Sequence, residues 1–217
     1  MRTLIVEDHT MIREGLILRL EDLPDIEIVG QASDGAEAIR LTGELHPDLI
    51  IMDIAMPRLN GIEAARTILS MDHDPVPRII FLSMHIEREY VIEAFRAGGR
   101  AYIIKSSIFE ELAQAVMAVC EGGTYISPAV GDLLIEEVTG IAPQTEAGPY
   151  QVLTPRERQV LQLLADGMNA KEIGEMLGVS DKTIHANRVT ILAKLNLRGV
   201  ADLTKYAIKH GITTLES

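Results

Sequence analysis

The sequence predicts an α/β fold, a doubly wound five-stranded parallel sheet, followed by a small all-α unit of four helices. Three observations predict it. The first 125 residues alternate short β-branched apolar runs with longer helix-patterned stretches. A segment carrying Pro and Gly but no basic group then interrupts the pattern, and the remainder reads as short, capped helices.

Strands are expected at 4–7, 27–31, 49–53, 79–83 and 102–105. Between them Leu16 with Leu20, Val91 with Phe95, and Leu112 with Val116 and Val119 keep the spacing of helices with one buried face. Repeated strand–helix units of this kind make a parallel sheet covered on both sides. With 47% apolar and 24% charged residues the chain has a globular composition, which excludes wholesale disorder. The longest apolar runs, 49–52 and 79–82, are strand-length and far short of the roughly 20 residues of a membrane span. The N-terminal MRTLIVEDH places two acidic residues before any stretch long enough for a signal peptide. The single cysteine, Cys120, allows no internal disulfide and is expected to be a small buried apolar residue. A cytoplasmic protein with no membrane partner is the expectation.

Residues 138–152, VTGIAPQTEAGPYQV, have linker composition, and the expected organisation is a first domain over 1–125, a linker over 126–150 and a second domain over 151–217. Thr154-Pro-Arg-Glu supplies an N-cap, a Pro at the first helical position and a capping-box Glu157, and Asn169 with Glu172 repeats the cap. Ile173, Met176 and Leu177 keep helical spacing, Gly178 ends that helix and Ser180 caps the next. Charge separates the two parts. Residues 1–125 hold 11 basic and 21 acidic groups, 151–217 hold nine and seven, and 182–209 hold six basic against one acidic, a local field that attracts a polyanion.

Glu7 and Asp8 end the first strand, Asp53 the third, Ser83 the fourth and Lys105 the fifth, so all lie on the carboxyl edge where such folds bind ligands. Three converging carboxylates repel unless a hard divalent cation such as Mg²⁺ sits among them. With that ion and the Lys105 ammonium, a phosphoryl group can be held in line with the Asp53 carboxylate, which acts as nucleophile.

TLIVEDH, LIIMDIAMPRLNG, FLSMH and AYIIK resemble the signature segments of a response-regulator receiver domain, a flavodoxin-like fold, over 1–125. The resemblance implies that Asp53 is the phosphoacceptor, that Glu7, Asp8 and Asp53 with Ala55 form the Mg²⁺ set, and that Ser83, Tyr102 and Lys105 form the switch. The phosphoryl donor is then a sensor histidine kinase. Ser83 turns toward the phosphate and Tyr102 follows into the vacated space. Met84 stands where many receivers carry a smaller residue, and Ser106 where many carry Pro.

A short helix, a tight turn at Gly178 and a second capped helix make a helix-turn-helix candidate. The string from Leu153 onward, LTPRERQVLQLLADGMNAKEIGEMLGVSDKTIHANRVTILAKL, is similar to the four-helix DNA-binding domain of the LuxR type, and the whole chain to NarL/FixJ-class response regulators. On the helix over 181–195, Ile184, Ile191, Leu192 and Leu195 are expected inside and Lys182, Ala186, Val189, Thr190 and Ala193 outside. Ala186 and Val189 suit thymine methyls, Lys182, Thr183 and Lys194 suit phosphates, His185 faces a base edge or solvent, and Asn187 and Arg188 complete the set. Leu203, Ala207 and Ile208 of the last helix are expected dimer contacts, with intramolecular packing as the alternative. The expected function is phosphorylation-dependent transcriptional regulation by a homodimer on promoter DNA, not an enzyme. An aspartyl-phosphate phosphatase shares the Asp nucleophile, but Ala55 stands where its second carboxylate belongs. A receiver that only dimerises and is never phosphorylated is the third reading.

Overall fold

The computed structural model describes residues 1–86, 88–131 and 149–213, which fall into an N-terminal and a C-terminal compact unit. In the first, β1 (Arg2–Val6), α1 (Thr10–Glu21), β2 (Glu27–Ala32), α2 (Gly35–Leu45), β3 (Leu49–Asp53), α3 (Gly61–Ser70), β4 (Arg78–Ser83), α4 (Arg88–Arg96), β5 (Ala101–Ile104), α5 (Ile108–Cys120) and β6 (Tyr125–Ile126) follow in order. All strands pair in parallel, in the order β2-β1-β3-β4-β5-β6.

The sheet therefore has six strands rather than the expected five. The sixth is two residues long, too short to show any alternation, and is fixed by main-chain bonds from Tyr125 N to Arg100 O (3.1 Å) and from Ser127 N to Tyr102 O (2.9 Å). It spans the boundary expected at residue 125. Most of the linker expected over 126–150 lies outside the described residues.

Every residue of β3 is buried, as a central parallel strand covered on both faces requires. Alternate side chains Ile5, Ile51, Leu82 and Ile103 meet Leu16 and Leu20 of α1 and Leu112, Val116 and Val119 of α5 in one continuous core. Strand order reverses between β1 and β3, and this brings the end of β1 beside Asp53.

The second unit contains α6 (Pro149–Val152), α7 (Pro155–Ala165), α8 (Ala170–Leu177), α9 (Asp181–Lys194) and α10 (Val200–Lys209). Its punctuation follows the sequence. Thr154 with Glu157 and Asn169 with Glu172 form capping boxes, Gly178 ends α8 at φ +67°, and the Ser180 hydroxyl accepts the Thr183 N–H to cap α9. Leu161, Ile173, Ile184, Ile191 and Leu203 are fully buried together. Among the described residues no helix is long and apolar enough to cross a membrane.

Candidate functional site

The carboxyl edge of the sheet holds the acidic constellation. Asp53, the last residue of β3, is 1% exposed, and Glu7, one position beyond β1, is wholly buried. Lys105 begins a short 3₁₀ turn just past β5, and its Nζ lies 2.8 Å from Asp53 Oδ2, 2.8 Å from Glu7 Oε2 and 3.0 Å from Glu7 Oε1. One ammonium thus serves two buried carboxylates. Asp53 Oδ1 has no hydrogen-bond partner among the described residues. Burial lifts the Asp53 carboxyl from 3.8 to about 7; Lys105 opposes the rise, while Glu7 and Asp8 add to it. For Lys105 desolvation alone would depress the value, but the Asp53 and Glu7 carboxylates reverse it and hold the ammonium above 10.5. The pocket is short of positive charge and of donors, the condition a bound cation relieves.

Asp8, partly exposed, joins Glu7 and Asp53 in a cluster whose ligand atoms lie within 4.8 Å of one another, and His9 belongs to the same cluster. Ala55, nearly buried, follows Asp53 by two positions. Behind it the backbone is tight. A Cβ on Gly61 would sit 2.1 Å from the Asp53 carbonyl oxygen, so only glycine lets the start of α3 approach Asp53 this closely.

Ser83 and Tyr102 meet on His85. Its N–H donates to Ser83 Oγ (3.0 Å), its carbonyl accepts from the Tyr102 hydroxyl (2.8 Å), and its ring stacks on Tyr90 of α4 with centroids 4.8 Å apart. The Tyr102 ring is wholly buried. Met84 is 68% exposed.

In the second unit α9 presents one open face. Lys182, Thr183, His185, Ala186, Val189, Thr190 and Ala193 are exposed, Asn187 and Arg188 are half-buried, and Ile184 and Ile191 are inside. Lys194, expected as a phosphate contact, is exposed as well, and its Nζ lies 2.7 Å from Glu157 Oε2 of α7. Leu203 and Ala207 are fully buried in the unit's own core, the intramolecular packing that is the alternative to a dimer contact, and Ile208 is half-buried.

Residues 3–117 match the response regulator receiver domain, and residues 151–207 match the bacterial regulatory proteins of the luxR family. The chain belongs to the LuxR-family response regulators. The regulator is 38% identical over 207 residues to the transcriptional regulatory protein LiaR of Bacillus subtilis (strain 168), covering 95% of each chain. It is 36% identical over 213 residues to the oxygen regulatory protein NreC of Staphylococcus carnosus, covering 96% of this chain and 97% of that one. Among solved structures it is similar to RcsB from Salmonella enterica serovar Typhimurium bound to promoter P1flhDC in the presence of phosphomimetic BeF3⁻. That similarity has 25% identity and a TM-score of 0.59, over 95% of this chain and 97% of that chain. The regulator is a two-component protein that acts in transcription by binding DNA.

Three residues of the site escaped the sequence reading. His9 follows the acidic pair directly, and its proximity was the available signal. Gly61 closes the quoted segment LIIMDIAMPRLNG, and His85 closes FLSMH.

Proposed function

We propose that this regulator is switched by transfer of a phosphoryl group to Asp53 from a sensor kinase's phosphohistidine. The observation that carries the reading is the buried Asp53 carboxylate, held by Lys105 through Oδ2 and left without a hydrogen-bond partner among the described residues at Oδ1. In the transfer a new O–P bond forms at the Asp53 carboxylate as the donor's N–P bond breaks. Lys105 stays beside the developing charge on the phosphoryl oxygens.

The donor set fits Mg²⁺, a hard ion that takes carboxylate oxygens. Glu7, Asp8, Asp53 and Ala55 would hold it. When bound, the ion supplies the positive charge that ionises Asp53 and neutralises the incoming group.

Ser83 turning to the phosphoryl oxygens gives up the His85 N–H. The same residue's carbonyl holds Tyr102, so the β4–α4 loop and the Tyr102 ring reset together. The receiver over 1–125 acts through a linker over 126–150 on the DNA-binding domain over 151–217. That domain places α9 in the major groove of promoter DNA as a homodimer. Lys182, Thr183, His185, Ala186 and Val189 offer themselves directly, and Asn187 and Arg188 from the margins.

Replacing Asp53 by Asn tests the reading. With Mg²⁺ and a small phosphodonor the parent is expected to gain one phosphoryl group by intact mass and the variant none; equal labelling of both would refute the assignment.

A further inference from the structure

The cation site just proposed leaves His9 without a task. His9 occupies the N-cap of α1 with extended backbone (φ −80°, ψ 108°), yet its side chain makes no capping bond there. A His at this position gives up what Ser, Thr, Asp or Asn would contribute. Its ring instead turns over the carboxylates: Nδ1 lies 2.9 Å from Asp8 Oδ1 and 3.2 Å from Glu7 Oε1.

Two neighbouring ligands of an octahedral ion with bonds of 2.0–2.1 Å stand about 3 Å apart. The imidazole nitrogen is at that spacing from both carboxylates, and one ligand atom each from Glu7, Asp8, His9 and Asp53 falls within 4.8 Å of every other. The His9 side chain is 36% exposed, so it stands at the mouth of the site, while Glu7 and Asp53 form its floor. An all-oxygen set suits Mg²⁺; a nitrogen added to it favours first-row transition ions, whose affinity for such ligands rises along the series toward copper.

The geometry points to His9 Nδ1 as a protein ligand of the cation at the Asp53 site, giving that site a preference for a divalent transition ion over Mg²⁺. The inference rests on the cation reading above. Coordination uses the Nδ1 lone pair, with the ring proton on Nε2.

The test uses the full chain, loaded with Mn²⁺ for pulsed EPR, which detects nitrogen bonded to the ion, and titrated with Co²⁺ and Mg²⁺ by calorimetry. The companion variant is His9→Gln, which keeps a hydrogen-bonding side chain but supplies no imidazole. A directly bonded nitrogen in the parent, lost in the variant, is expected, with the Co²⁺-to-Mg²⁺ affinity ratio falling roughly tenfold. Bound Mn²⁺ with no coupled nitrogen in the parent overturns the assignment, as does an unchanged ratio in the variant; His9 is then a hydrogen-bond partner of the carboxylates and not a ligand. If the parent binds no Mn²⁺ at all, the cation reading falls and takes this inference with it.

Discussion

At the scale of single residues, the site is built by close approach and by shortage of positive charge. Gly61 is where the approach is closest, since any side chain there enters the Asp53 carbonyl oxygen. Gly61→Ala is expected to destabilise the receiver by about 1–3 kcal/mol, the usual cost of overpacking, and to lower phosphorylation of Asp53. Urea unfolding beside intact mass checks both. In the second unit, burial alone would raise the Glu157 carboxyl, but the bonds from Lys194 and Thr154 outweigh it and hold the group below 4.5. A folded value below the unfolded one stabilises at higher pH. The contribution is therefore full above 4.5 and lost as pH falls through the folded value. Thermal unfolding followed from about pH 6 down to about pH 2 is expected to show a smaller acid-induced loss in Lys194→Ala than in the parent; identical slopes would contradict this role for the pair.

At the scale of elements, the loop after β4 ties Ser83 to Tyr102, because one residue, His85, is bonded to both side chains. Ser83→Ala removes the acceptor for the His85 N–H while leaving Asp53 and Lys105 intact. The variant is expected to take up phosphate yet show little of the parent's change in elution volume. The last helix makes the opposite case. Leu203 is a core residue of its own unit, so Leu203→Ala is expected to cost about 2–5 kcal/mol in chemical unfolding of the C-terminal unit. A variant of unchanged stability with impaired dimerisation would restore the role first read from sequence. The contrast shows what the sequence made legible. Five strands and the caps at Thr154, Asn169, Gly178 and Ser180 announce themselves through local periodicity and local bonds. β6 is two residues, too few to show alternation, and Leu203 shares its apolar character with any dimer contact, so neither carries a local signal. The residues ending β3 and following β1 and β5 were readable because parallel topology sends those ends to one edge. His9 and His85 matter through contacts that only the folded loops create.

At the scale of the whole molecule, an acidic half that carries the Asp53 site and a half whose open helix is basic lie on one chain. The DNA contacts of α9 are expected to be largely electrostatic. Lys182→Ala should weaken DNA binding about equally across sequences and reduce the slope of log affinity against log salt by about one, measured by fluorescence anisotropy at several salt concentrations. A loss confined to one DNA sequence would instead make Lys182 a base contact. The central claim, that a single phosphoryl group on Asp53 switches the molecule, is tested most directly by intact mass and elution volume. Both are read on the same samples of parent and Asp53→Ala after incubation with Mg²⁺ and a small phosphodonor. The account predicts one added phosphoryl group and a shift toward dimer in the parent alone; a phosphorylated parent that elutes as the unphosphorylated one does, or a labelled variant, would contradict it.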